Sequence, residues 1–525
     1  MVRVLDVPRE EVGQAVRDGR VDICVVGLGY VGLPLGVLFA DEGARVIGCV
    51  RTRESAQRIN RGKTRIVEHD VSGLLRKGAT ILDGTCPNCG VRLFKLGRET
   101  FCPCCGRLAT ITEFGVHLQD AIAIAHKEIV QSRQTLAGLL QRVIQMGRFS
   151  ATTETAKAVR ESDVILIAVG TPVDVRNVPD YADLENACSS VGEGLQKGSL
   201  VILKSTVSPG ITENRVKPLL EKASGLQAGR DFGLAFMPET VKEGHALYEF
   251  RTLPRIVGGI TKRCAAAAAG VFSVFPAPVS IFGGPSIVEA AKLFQNIYRD
   301  ANIALVNELA LACEKLGVDV IQAISAANID PKTHLLTPGL VGGYCLPKDT
   351  YHLAYPAERA GYAARLITLA RRLNNGMPKH VLELVEEAFE EMGASMRGSR
   401  VAVLGLGFKA NSGDLRNTPA EPIIKGLLER GAEVVAHDPF AHFDDVGRIL
   451  PDLVCTRIVE EAVRGAACTV IVTGHLEYRG LTAKCLRDLM SKPGAIVDAR
   501  HIIDPKEAFA LKVVFRGLGK PKVTV

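Results

Sequence analysis

Short, continuously apolar runs recur along this chain, each ending at a glycine or a polar turn, with helical spacing of apolar positions between them. Val21–Val26, Val46–Val50, Val164–Val169 and Leu200–Leu203 predict buried parallel strands. Strands alternating with helices predict a doubly wound α/β domain. From Pro285 to Leu316 the pattern is helical without a break, which suits a domain connector or a dimer interface. Further helical patterns run to about Glu391, and Gly393–Arg400 reads as a linker. Val401–Leu404 opens a second strand–glycine–helix unit, with strands expected at Glu433–Ala436, Thr469–Val472 and Ala495–Val497. The two halves echo each other, VVGLGYVG at 25–32 and VLGLGFKA at 403–410.

Composition narrows the class. A chain of 525 residues predicts about three domains. With 47% hydrophobic and 23% charged residues, disorder is excluded as the main state. Sixty-four Lys and Arg against 57 Asp and Glu leave +7, a mild excess that would not repel a diphosphate ligand. The absence of Trp and an aromatic content of 5% argue against a nucleic-acid partner bound by stacking. Ile23–Ala40 carries no charge over 18 residues, but Gly27, Gly29, Gly32, Pro34 and Gly36 make it a strand, a loop and a helix start, not a membrane span. The N-terminus is too charged for a signal peptide, so the 14 cysteines are expected as free thiols or metal ligands in a cytoplasmic protein without a membrane partner.

Gly27-Leu28-Gly29-Tyr30-Val31-Gly32 follows a strand and opens a helix, which predicts a dinucleotide site. Gly27 permits the turn, Gly29 lets a pyrophosphate approach, and Gly32 permits close helix–strand packing. The acid expected at the end of the second strand is missing. Val50 stands there, followed by Arg51. Arg51 either receives a 2′-phosphate, which favours NADP, or is simply solvated while NAD binds without the acidic contact. Cys86, Cys89, Cys102 and Cys105 have the spacing C-x2-C-x12-C-x2-C, which predicts structural zinc in a ribbon-type insertion, with exchange between Cys104 and Cys105 left open. The expected fold class is therefore α/β: two Rossmann-like doubly wound domains joined by a helical middle with a long central helix, and a zinc-ribbon insertion in the first domain. The expected boundaries are 1–284, 285–395 and 396–525, with the insertion at about 69–135.

Glu289, Lys292, Asn296 and Arg299 share one face of the long helix, either an ordinary wet face or a ligand-facing stripe. Gly342-Gly343-Tyr344-Cys345 places one thiol after two glycines that allow close ligand approach, with Asp349 four residues on.

In order, GLGYVGLP (27–34), GTPVD (170–174), KSTVSPGIT (204–212), PETVKEG (238–244), PRIVGG (254–259), EAAKLFQN (289–296), GGYCLPKD (342–349) and GLGFKANSGDLRNTPA (405–420) resemble the UDP-glucose/GDP-mannose dehydrogenase family over almost the whole chain. The resemblance implies oxidation of a sugar C6 alcohol twice, through aldehyde to carboxylate, with two NAD per UDP-sugar. It makes Cys345 the nucleophile that forms a thiohemiacetal and then a thioester. Lys292 and Asn296 would stabilise the oxyanion, Asp349 and Thr206 would place water, and Glu239 would be the acid/base group with Glu243 beside it. Tyr30, Val31, Thr171, Pro172 and Thr206 join the expected cofactor contacts. Arg299, Gly342, Lys409 and Arg416 join the expected substrate contacts, Arg416 from either subunit. The long helix resembles the family's dimer core, so a homodimer or higher homo-oligomer is expected.

This chain departs from the family pattern at Val50, at Thr240 where Arg is frequent, and in the insertion. PETVKEGHALYEFRTLPRIVGG (238–259) resembles the UDP-N-acetylmannosamine branch, with UDP-N-acetylglucosamine and UDP-glucose as alternatives.

Overall fold

A computed structural model of the protein describes residues 4–64, 66, 135–241 and 246–522, together with the backbone of four strands inside 80–107. Those strands, Thr80–Thr85, Arg92–Leu96, Glu99–Cys102 and Gly106–Arg107, form an antiparallel sheet. Cys86, Cys89 and Cys105, the side chain of Cys102, and Glu243 lie outside the described residues.

Eight strands form the first large sheet. From one edge the order is Val279–Ile281, Arg255–Gly259, Gly233–Phe236, Leu200–Leu203, Val164–Ile167, Asp22–Val26, Arg45–Cys49 and Phe149–Thr152. All neighbours are parallel except the Gly233–Phe236 and Arg255–Gly259 pair. The chain builds outward from Asp22–Val26 on one side, then crosses to Val164–Ile167 on the other. This reversal creates the crevice in which such sheets bind ligands. Helices cover both faces. Ile23, Val25, Val46 and Leu166 belong to one core, and Cys24, Val26, Ile47 and Ile165 to the other. Burial on both faces is why these strands read as continuous apolar runs.

The second sheet has six parallel strands in the order Val454–Thr456, Glu433–His437, Arg400–Leu404, Cys468–Ile471, Ala495–Asp498 and Val514–Gly517. Its reversal lies between Arg400–Leu404 and Cys468–Ile471. Both sheets are therefore Rossmann-like. Between them runs the helix Pro285–Leu316, with proline in its first turn and Gly317 in the left-handed conformation at φ 69° as its stop. It packs against the helices Leu346–Arg359 and Arg365–Met392. Arg371 of the last helix is fully buried and its guanidinium donates to Asp300 at 2.5 Å, so the helix pair is locked by a charge pair that water does not reach.

Three strands of the first sheet (Phe149–Thr152, Arg255–Gly259 and Val279–Ile281) lack a strong apolar run, and the sequence pattern does not mark them; Gly233–Phe236 is a further strand, fully buried within the apolar run 232–237. The run expected to reach Val169 ends as a strand at Ile167, because residues 168–170 turn to wall the glycine loop. Among the described residues, no helix is long and apolar enough to cross a membrane.

Candidate active site

Each glycine of the first loop does what its position requires. Gly27 has φ 98°, and a Cβ there would meet the Ala168 carbonyl oxygen at 2.6 Å. A Cβ on Gly32 would meet the Gly27 oxygen at 1.9 Å. At Gly29 a Cβ would meet nothing within 4 Å, because the loop opens there onto a cleft of about 640 Å³. The cleft is lined by Gly27, Gly29, Val50, Arg51, Thr52 and Asp183, among others. Space beside Gly29 at the start of the helix Gly32–Asp41 fits the pyrophosphate of NAD.

The echoing loop of the second sheet is built the other way. Gly405 has φ 94° and makes the same turn. Here, however, the Leu406 and Gly407 amides donate to Asp438 Oδ2 at 2.7 and 2.9 Å. Asp438 is fully buried and bonded to His475 at 3.1 Å. The chain's own carboxylate thus occupies the anion cradle. Beside this loop, Lys409, Asn411, Gly339, Ile303, Arg500 and His501 line a separate cavity of about 500 Å³. Burial pushes the Arg500 guanidinium down to about 10, against the pull of Asp498.

Cys345 caps the N-terminus of the helix Leu346–Arg359. The residue is exposed at that position. Behind it lies a buried charged cluster. Asp349 is 1% exposed; its Oδ2 accepts from Asn296 Nδ2 at 2.6 Å and lies 3.5 Å from Lys292 Nζ, while Oδ1 accepts from Lys348 Nζ at 3.0 Å. Burial opposes ionisation of Asp349, but Lys348, Lys292 and the Asn296 amide outweigh it and hold the carboxyl well below its usual range. The surrounding protein pushes the Cys345 thiol up, Asp349 pushes the same way, and Lys292, Lys348 and Arg416 pull back.

Lys292 and Asn296 are therefore not on a wet face. They are buried and face the cysteine helix. Glu289 is buried one turn earlier, where it accepts from the Gly210 and Thr212 amides at 2.5 and 2.9 Å and so fastens the 204–212 loop. Arg299 is exposed and lies outside this cluster. In the fastened loop the Thr206 carbonyl accepts from Thr171 Oγ1 at 2.6 Å, joining two expected site residues; Pro172 follows Thr171 in its loop, and Val31 stands in the glycine loop at the N-cap of the helix Gly32–Asp41. Glu239 is turned to Lys204, at 3.2 Å, and to the Thr240 and Val241 amides at 2.9 and 3.1 Å.

Three placements differ from expectation. The space beside Gly342 is taken by protein: a Cβ would meet the Asn417 oxygen at 2.5 Å and Pro419 Cδ at 2.7 Å, so this glycine lets the 408–419 loop approach instead of a ligand. Arg416 reaches within its own chain, its guanidinium 4.4 Å from the Tyr30 ring and 5.3 Å from the Tyr344 ring, so it ties the glycine loop to the cysteine loop. Arg51 is largely exposed and donates through Nη2 to Asp183 at 2.5 Å, a partner that neither reading of this residue includes.

Sequence reasoning missed Lys204, Asp183, His352 and Tyr181. His352 is fully buried, shares hydrogen bonds with Tyr181 and the Thr171 carbonyl at 3.1 Å each, and is pushed down to about 4, chiefly by burial. The spacing of His352 from Asp349 was visible in the sequence, but nothing there placed it beside residues 171 and 181.

Three family models match the chain: UDP-glucose/GDP-mannose dehydrogenase family, NAD binding domain, over 21–84 and 119–276; its central domain over 287–376; and its UDP binding domain over 402–505. A fourth, Sjogren's syndrome/scleroderma autoantigen 1 (Autoantigen p27), matches 70–106. UDP-N-acetyl-D-mannosamine dehydrogenase of Pyrococcus horikoshii is 30% identical over 95% of this chain and 100% of its own length. UDP-N-acetyl-D-glucosamine 6-dehydrogenase of Pseudomonas aeruginosa is 30% identical over 76% of this chain and 93% of its own. The solved structure of the UDP-D-ManNAc dehydrogenase from Pyrococcus horikoshii superposes with a TM-score of 0.75 over 95% of this chain and 99% of that one.

The raised Cys345 thiol has a measurable consequence. Because protonation is favoured, alkylation of Cys345 by iodoacetamide should accelerate as pH rises through and above the ordinary thiol range. Removing the positive charge in Lys292→Ala should move that profile to higher pH, and removing the negative charge in Asp349→Asn should move it lower. Peptide mass spectrometry of the labelled cysteine against pH checks both directions.

Proposed function

The chain belongs to the UDP-glucose/GDP-mannose dehydrogenase family of NAD-dependent nucleotide-sugar dehydrogenases, and we propose that its substrate is UDP-N-acetyl-D-mannosamine, oxidised twice at C6 to the uronate. The relative from Pyrococcus horikoshii, similar along its whole length, supports this sugar. UDP-N-acetyl-D-glucosamine is the alternative.

The observation that carries the chemistry is Cys345 at a helix N-terminus, backed by the buried Asp349, Lys292, Asn296 and Lys348 cluster. Bound NAD supplies hydride acceptance in each oxidation. Gly27, Gly29, Gly32, Tyr30 and Val31 would hold its pyrophosphate side. Thr171 and Pro172, which follow Gly170 of the cleft lining, and Thr206, hydrogen-bonded to Thr171, would meet its inner end. Cys345 adds to the intermediate aldehyde, and the resulting tetrahedral carbon can give up a second hydride. Lys292 and Asn296 stabilise the oxyanion on that carbon. Water held by Asp349 and Thr206 cleaves the thioester. Glu239, poised beside the buried Lys204, exchanges the proton, with Glu243 near it in sequence. Lys409 and Arg416 hold the nucleotide sugar against the third domain. The divisions are 1–284 for cofactor, 285–395 for the helical middle and 396–525 for UDP-sugar, in a cytoplasmic enzyme.

Limiting UDP-N-acetyl-D-mannosamine with excess NAD should yield two equivalents of NADH per sugar. In Cys345→Ser, kcat should fall by on the order of 10³ or more. One equivalent would remove the double oxidation, and turnover of UDP-N-acetyl-D-glucosamine alone would move the assignment to that sugar.

The long helix carries an exposed apolar face at Phe294, Tyr298, Leu305 and Leu309, spaced +4, +7 and +4. This supports a homodimer through the helical middle. Phe294→Glu should lower the mass seen by light scattering to that of one chain, and an unchanged mass would argue against this face. Cys86, Cys89, Cys102 and Cys105 have the spacing for one structural zinc. Elemental analysis of the purified protein should find about one zinc per chain, lost in Cys86→Ser with Cys89→Ser, as expected for a four-thiolate site.

A further inference from the structure

The second strand of the cofactor domain ends at Val50, where a dinucleotide fold ordinarily carries the acid that holds the adenosine ribose. The cleft beside it nevertheless contains a carboxylate. Asp183 stands in the first turn of the helix Ala182–Gly194 and lines the same cleft as Val50, Arg51, Thr52 and Ser55. Its Oδ2 accepts from Arg51 Nη2 at 2.5 Å. The two residues come from opposite walls. Arg51 follows Arg45–Cys49 on one side of the central strand, and Asp183 follows Val164–Ile167 on the other. Both side chains remain accessible, Arg51 at 78% and Asp183 at 38%, so an entering nucleotide can reach them.

We propose that Asp183 decides this chain's choice of NAD over NADP, taking from the opposite wall the part of the missing strand-end acid. A ribose diol offers hydroxyl donors to a carboxylate. A 2′-phosphate instead brings a second negative charge against Asp183, and the Arg51 guanidinium that would receive it is already engaged. Without Asp183, the wall formed by Arg51, Thr52, Ser55 and the first turn of the helix Arg53–Asn60 would suit a phosphate well. Thr52 Oγ1 does not change this balance, since it accepts from the Ser55 amide at 3.2 Å and caps that helix. The inference rests on the dinucleotide cleft and is independent of the sugar and of Cys345.

The test is binding of NADH and NADPH, followed by nicotinamide fluorescence without sugar, to the full chain and to Asp183→Asn, Arg51→Ala and the double variant. The wild type should bind NADH at least ~10-fold more tightly than NADPH, the effect of one close charge. Asp183→Asn should narrow that ratio by ~10-fold, mainly by tighter NADPH binding, and adding Arg51→Ala should remove the gain. If Asp183→Asn does not fold, Asp183→Ser serves the same comparison. An unchanged ratio in the Asp183 variant, or a wild type that binds both nucleotides equally, would overturn the proposal. Failure of the wild type to bind either nucleotide would overturn it together with the cofactor site.

Discussion

A carboxylate with 1% exposure must be compensated by charge or it will not stay ionised, and Asp349 imposes that requirement on everything around it. The requirement is met from two directions. Lys348 is its chain neighbour, and Lys292 and Asn296 stand one turn apart on the long helix, close enough for both to reach the same oxygen. Satisfying Asp349 therefore docks the helix Leu346–Arg359 against the helix Pro285–Leu316. That docking sets Cys345 at the mouth of the site with positive charge behind it. Glu289, on the same face, fastens the 204–212 loop by its backbone amides. One helix face thus aligns two loops from different parts of the chain.

The two glycine loops show how similar local sequence serves opposite ends. Both turn through a left-handed glycine. In the first, nothing meets Gly29 and the amides face a cleft. In the second, Asp438 fills the equivalent cradle, stays ionised because His475 and the loop amides outweigh its burial, and makes the turn rigid. The neighbouring cavity around Lys409 and Arg500 stays open beside that filled cradle. Arg416 joins the two ends by lying between Tyr30 and Tyr344.

Much of this was legible before any coordinates. Strands buried on both faces leave a continuous apolar run, so Leu200–Leu203 appears at its full length, and proline and glycine punctuate the long helix at Pro285 and Gly317. Edge strands such as Phe149–Thr152 are half exposed, and they leave no such run. The spacing of Lys292 and Asn296 announced one face, but spacing does not say whether that face is wet. Its burial depends on Asp349, more than fifty residues away. The contacts of Gly342 with Asn417 and of Arg416 with Tyr30 are hidden for the same reason: both join distant segments of the chain. Asp183 carried no local signal, since an acid in the first turn of a helix is an ordinary capping preference.

The central claim is that Cys345 carries the sugar covalently while the Asp349 cluster governs its release. The direct measurement is the intact mass of Asp349→Asn quenched during turnover of UDP-N-acetyl-D-mannosamine with NAD. The account predicts a chain heavier by one acyl nucleotide sugar, with the increment on the Cys345 peptide. A chain of unmodified mass that has nonetheless released uronate would contradict it.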